Sequence, residues 1–237
     1  MGSADPAATP LQNHIQDRYV QAEGTLMKLR STIILIMLLL ITSCGMKSKQ
    51  GLAENYEQNK DEITELTSHF RSIIPDGYLV RIRYESSSNF DLFVYESIEN
   101  SKKFELLFQQ WNLDLDDYQP EPQTDYEKKY HGKTNSLENI KEKLNWTDKT
   151  FAELYRKLNE VDCIGISISV RKPTKIEYGF KGMGVLSYLI FDENLNSELQ
   201  EEYSDDCSQM FYKDNVVLHY ASGATGSLCI PEFKRPN

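Results

Sequence analysis

From Ile63 onward, apolar residues recur with two alternating periods along the chain. Ile63, Leu66, Phe70 and Ile73 stand at helical spacing, and Pro75-Asp76-Gly77 closes the segment. Asn55 and Gln58, three residues apart, resemble the capping pair of a helix start. The period then drops to two. Tyr78, Val80, Ile82 and Tyr84 alternate with Arg81, Arg83 and Glu85, and the run Phe90 to Tyr95 follows after Ser86-Ser87-Ser88-Asn89. That pattern predicts a β-hairpin with one solvated face. Phe104, Leu107, Phe108 and Trp111 return to helical spacing and predict a short helix.

The pattern fails between Asp114 and Asn135, which predicts a long loop of about twenty residues. Two helices are expected next. The first carries Leu137, Ile140 and Leu144. The second is capped by Thr147 or Asp148 and carries Phe151, Leu154, Tyr155, Leu158 and Val161. Together they resemble an αα-hairpin. Five strands are expected in the C-terminal third. Ile164, Ile166, Ile168 and Val170 share one face, with Cys163, Gly165, Ser167 and Ser169 on the other. Residues 176–181 and 185–191 pair across Gly182-Met183-Gly184. The second of these runs is apolar on both faces apart from Ser187, which places it centrally in a sheet. A short helix spans Leu195 to Tyr203, and residues 209–213 and 216–221 pair across Asp214-Asn215. The sum is an α+β fold. It has a mainly antiparallel sheet of about seven strands, about five helices packed on one face, and no strict βαβ alternation.

The segment before this domain differs in character. Ile33 to Ile41 reads IILIMLLLI, too short to span a bilayer but matched to the apolar region of a secretory signal. Lys28 and Arg30 precede it, after Met27. Ile41-Thr42-Ser43-Cys44 closes it with an aliphatic residue, two small residues and a cysteine. Over Met27 to Cys44 the chain resembles the signal peptide and lipobox of bacterial lipoproteins, with Ile in place of the more usual Leu at the first lipobox position. The resemblance implies cleavage behind Ser43, a diacylglyceryl thioether on Cys44, and a mature protein that begins there. It assigns the domain behind the anchor to no family.

The expected organisation follows. Residues 1–26 are an upstream extension outside the native protein, 27–43 the lipoprotein signal peptide, 44–53 a polar tether, and 54–237 a single α+β domain. The expected location is the cell envelope. Gly45 follows Cys44 where, in enteric bacteria, an Asp resembles an inner-membrane retention signal. In a cell with two membranes the protein is therefore expected on the periplasmic face of the outer one.

Charge narrows the partner class. The net charge is -10, and residues 1–43 hold equal numbers of acids and bases, so the mature part keeps all of it. That balance argues against nucleic acid and against an electrostatic grip on anionic lipid. Membrane contact is expected through acyl chains, and the further partner is expected to be another envelope or effector protein. Three cysteines remain after Cys44. Cys207 and Cys229 flank an expected hairpin and are the candidate disulfide, whereas Cys163 opens an apolar strand and reads as a buried small residue.

Candidate chemistry is sparse. Of the histidines, His14 lies in the upstream extension. No zinc-protease, G-x-S-x-G or Walker pattern occurs among the other three, His69, His131 and His219, or elsewhere. Ser222-Gly223-Ala224-Thr225-Gly226-Ser227 lacks the lysine and helix of a phosphate loop. His219 and Ser222 stand three residues apart on an expected strand, hence on opposite faces. Asp114, Asp116 and Asp117 lack the Gly and Glu that would complete a calcium loop, and Asp205-Asp206 reads as a solvated turn. Neither a metal nor a cofactor is expected. Tyr118, Tyr126, Tyr130 and His131, amphipathic groups in the long loop, are the candidate partner contact.

These readings favour a non-catalytic, lipid-anchored binding module, with an immunity-type protein as its specific form. A structural or assembly lipoprotein ranks second. An envelope hydrolase with residues scattered in sequence ranks third.

Overall fold

The structure is a computed structural model, and it describes residues 47–98, 103–118, 135–168, 173–204 and 208–222. These all fall in one compact unit that begins at Lys47. Eight strands form one sheet in the order β3-β2-β1-β4-β5-β6-β8-β7. They are β1 Tyr78–Tyr84, β2 Asn89–Ser97, β3 Phe104–Asp114, β4 Gly165–Ser167, β5 Thr174–Lys181, β6 Gly184–Ile190, β7 Gln209–Lys213 and β8 Val216–Ser222. Every pairing is antiparallel. Five helices are described: α1 Lys49–Gln58, α2 Lys60–Ser72, α3 Leu137–Leu144, α4 Asp148–Glu160 and α5 Ser197–Glu202. The fold is α+β, as the periodicity predicts, with one strand more than expected.

The additional strand is β3, where helical spacing predicted a helix. Two bulges account for the difference. The register jumps by an extra β3 residue between Val94 and Tyr95. It jumps again where Trp111 and Asn112 both stand opposite Asp91. Asn112 takes φ 49° there, a left-handed conformation that asparagine tolerates. Each inserted residue breaks strict alternation, so Leu107 and Phe108 both reach the core and a period of two imitates i, i+3, i+4.

The N-terminal helix also differs from expectation. It starts at Lys49, inside the segment read as tether, with Ser48 Oγ accepting from Gly51 N at 2.9 Å. Leu52 and Tyr56 are buried in the core. Asn55 is not a cap. It is buried within α1, where its Nδ2 donates to Val161 O at 3.0 Å and its Oδ1 lies 2.7 Å from the Tyr188 hydroxyl. The chain breaks at Asn59 and resumes as α2. Both helices of the expected pair are present, and Thr147 opens the second by donating its N–H to Thr150 Oγ1 at 3.1 Å.

Paired residues in a sheet point to the same side. The row Leu92, Ile82, Ile166, Ile176, Tyr188, Leu218, Met210 therefore lies on one face, and all of it is buried. Helices α1 to α4 cover that face. Tyr188 reaches Leu52 O of α1, Tyr84 donates to Phe151 O of α4 at 2.7 Å, and Trp146, just after α3, donates to Ile73 O at 2.8 Å. Full burial of each such side chain contributes about 1.5–3 kcal/mol. β6 is buried at all seven positions, in keeping with its expected central place. The exception to a one-sided helix layer is the short α5. Leu195 and Leu199 pack with Leu189 and Val217 in a small separate cluster, and those two strand residues point to the other face.

Candidate functional site

The face opposite α1 to α4 carries a cluster of charged residues. One row runs Asp91, Arg83, Gly165, Glu177, Ser187, His219, Gln209 across seven strands. The next runs Gln109, Phe93, Arg81, Ser167, Lys175, Leu189, Val217, Phe211. Glu177 lies at their centre, with its side chain 2 % exposed. Arg83 Nε donates to its Oε2 at 2.5 Å, Lys175 Nζ stands 3.3 Å from Oε1, and Arg81 Nη2 stands 3.5 Å from the same oxygen. Burial alone would raise the pKa of this carboxyl. The Arg83 hydrogen bond and the charges of Lys175, Arg83 and Arg81 outweigh it and hold the group below the ordinary carboxylate range.

Three cations thus meet Glu177, and Asp91 stands directly across from Arg83, with its Oδ1 accepting from Asn112 N at 3.1 Å. The patch holds one more positive than negative charge, on a chain whose net charge is -10. Aromatic rings frame it. Arg81 lies over Phe93 with its Cζ 5.5 Å from the ring centre, and Trp111 meets Phe93 edge-on at 4.7 Å. Arg83 lies over Phe180 at 5.2 Å. Trp111 is 47 % exposed, although an indole of that size is ordinarily well covered. A cationic, aromatic surface of this kind can receive a carboxylate and an apolar side chain together.

The same row contains a serine and a histidine. Ser187 Oγ lies 3.2 Å from His219 Nδ1 across the β6–β8 ladder. Nucleophilic catalysis needs the base between the nucleophile and the orienting acid. Here the serine lies between Glu177 on β5 and His219 on β8. Two strand spacings, roughly 10 Å, separate the acid from the base. Ser187 is moreover fully buried. The pair acts as a cross-strand hydrogen bond that satisfies the buried Ser187 hydroxyl.

The residues singled out from sequence are placed as follows. Tyr118 is half-buried and packs against the main core, with its hydroxyl held at the backbone of Leu137. Tyr126, Tyr130 and His131 lie outside the described residues, as do Cys44, Cys207, Cys229, Asp205, Asp206 and residues 223–227. The β7–β8 hairpin from which the disulfide was read is present. Cys163 is buried, and burial raises its thiol pKa, which suits an inert small residue. Asp114 Oδ1 accepts from Asp116 N at 2.9 Å, which is a local turn. Among the described residues no group of three or more His, Cys, Asp or Glu is placed to hold a metal ion. His69, on α2, stands 3.8 Å from Glu153 of α4.

Sequence reading missed the Glu177 cluster. The available signal was the alternation of Arg81 and Arg83, which reads as an ordinary solvated face. No family model matches the chain, and no curated protein or solved structure is found that matches it.

Proposed function

We propose that this protein is a lipid-anchored lipoprotein of the cell envelope that acts as a non-catalytic protein-binding module. Cys44 carries the lipid, and the outer membrane, on its periplasmic side, is the location in a cell with two membranes. The partner is an envelope or effector protein, and the specific form of the reading is an immunity-type protein that occupies such an effector. The observation that carries the binding reading is the half-exposed Trp111 beside Phe93 and Arg81, on the sheet face opposite α1 to α4. A half-exposed indole braced edge-on by a phenyl ring and flanked by a guanidinium is the composition of an interface hot spot. The positive excess at Glu177, on an acidic chain, favours a partner segment that brings a carboxylate.

Cross-linking in intact envelopes tests this. Parent protein and a Trp111→Ala/Arg81→Ala variant are expressed at equal levels, cross-linked and purified. The expected result is one envelope or effector protein that co-purifies with the parent and is lost from the variant. Recovery of the same protein by both, or of none by the parent, would overturn the reading.

A further inference from the structure

We infer that the turn between β5 and β6 sits in the bilayer interface beside the lipid, so that the domain rides on the membrane by this end of its sheet. The inference rests on the reading of Cys44 as the anchor. Its own evidence is the position of Lys47. Lys47, three residues after Cys44, is already fixed on the domain. Its Nζ lies 4.0 Å over the Tyr178 ring and pairs with Asp162. Its stem lies against Gly179, where an added Cβ would come within 2.8 Å of Lys47 Cγ. Ser48 then caps α1. Three extended residues reach only about 10–11 Å. An acylated Cys44 therefore holds the surface around Gly179 close to the lipid headgroups.

That surface is apolar where it projects. Phe180 follows Gly179 directly, and Met183 stands in the turn closed by the Lys181–Gly184 pair. At 53 % and 64 % these are the most exposed large hydrophobic side chains among the described residues. A single exposed apolar residue needs no explanation. Two on one turn, next to the point where an anchored chain enters, fit the boundary between headgroups and acyl chains. Lys181 closes the turn opposite Gly184, so a charged head can stay at phosphate level while the apolar groups go deeper.

The turn is also held in shape. Gly182 takes φ 59°, Tyr220 donates its hydroxyl to Lys181 O at 3.0 Å, and Gly184 lies hard against the Tyr220 ring. The lipid supplies most of the affinity and the turn fixes orientation.

Fluorescence of the lipidated protein tests the inference. Met183→Trp and Ile98→Trp variants are reconstituted in phosphatidylethanolamine–phosphatidylglycerol vesicles, with and without acyl chains brominated near the glycerol. Ile98 is exposed and apolar but lies at the opposite end of the sheet, beyond the Tyr78–Glu96 pair. The signal is read as the difference from the parent, which already holds Trp111 and Trp146. The expected result is that the indole added by M183W emits at shorter wavelength and loses most of its intensity to bromine, while that added by I98W stays water-like and unquenched. Water-like, unquenched emission from M183W would overturn the inference alone, provided the N-terminal peptide has the mass of lipidated Cys44. Equal quenching at both sites would do the same. An N-terminal peptide without lipid would overturn the anchor reading, and this inference with it.

Discussion

Glu177→Gln keeps the side-chain volume and removes the single negative charge that Arg83, Lys175 and Arg81 share. A pair of charges 3.3 Å apart attracts by about 5 kcal/mol at an effective dielectric constant of 20. Desolvation of a carboxylate 2 % exposed offsets much of that gain. Breaking such a buried pair from one side costs about 3–5 kcal/mol, because the cations are left without their partner. The side chains of Arg81 and Lys175 are 37 % and 25 % exposed and recover hydration, so the lower end applies. The expected loss is about 3 kcal/mol. For a domain of this length that lowers Tm by roughly 6–12 °C. Urea unfolding followed by circular dichroism measures it, with the denaturant slope unchanged.

The pH dependence gives a second readout. The folded pKa of Glu177 lies below its unfolded value, so its stabilisation is fully present above the unfolded pKa, about 4.3. It is lost as pH falls through the folded pKa. The gap between parent and E177Q should therefore stay constant from neutral pH to about 5 and close below about 4.3. Adding Arg83→Met to E177Q should return part of the lost stability, since the most enclosed of the three cations is then gone. A loss under about 1 kcal/mol, typical of an exposed ion pair, would refute the reasoning. So would a gap that does not close in acid.

Other perturbations probe other parts of the account. Leu52→Ala should cost about 2–5 kcal/mol in urea unfolding, as a core position does; a neutral effect would restore the reading of this segment as a tether. Gly184→Ala should cost about 1–3 kcal/mol in the same assay, because the new Cβ would fall 2.3 Å from the Tyr220 ring. Trp111→Ala should change stability by less than about 1 kcal/mol in thermal unfolding while abolishing partner capture; a large drop in Tm would instead make the indole a folding element.

Much of the fold was legible wherever alternation ran uninterrupted. The β1–β2, β5–β6 and β7–β8 hairpins and the α3–α4 pair match their expected positions, because each buries one face at one period. β3 was not legible, since each of its bulges shifts the side-chain alternation by one residue. The start of α1 was missed because only Leu52, Asn55 and Tyr56 are buried along ten residues, and Asn55 offered a plausible cap in the wrong place. The site was legible only in fragments. Arg81 and Arg83 stood out as polar alternates and Ser187 as the polar exception in β6. Their partners come from residues far along the chain, and strand order alone brings Glu177 beside Arg83 or His219 beside Ser187. Local periodicity carries no information on strand order.

The central claim is that a lipid on Cys44 anchors this binding domain. Metabolic labelling with a radioactive fatty acid, in cells that express the parent and Cys44→Ala forms, tests it most directly. The account predicts label in the parent, a mature N-terminus at Cys44, and no label in the variant. An unlabelled parent, or label that survives Cys44→Ala, would contradict it.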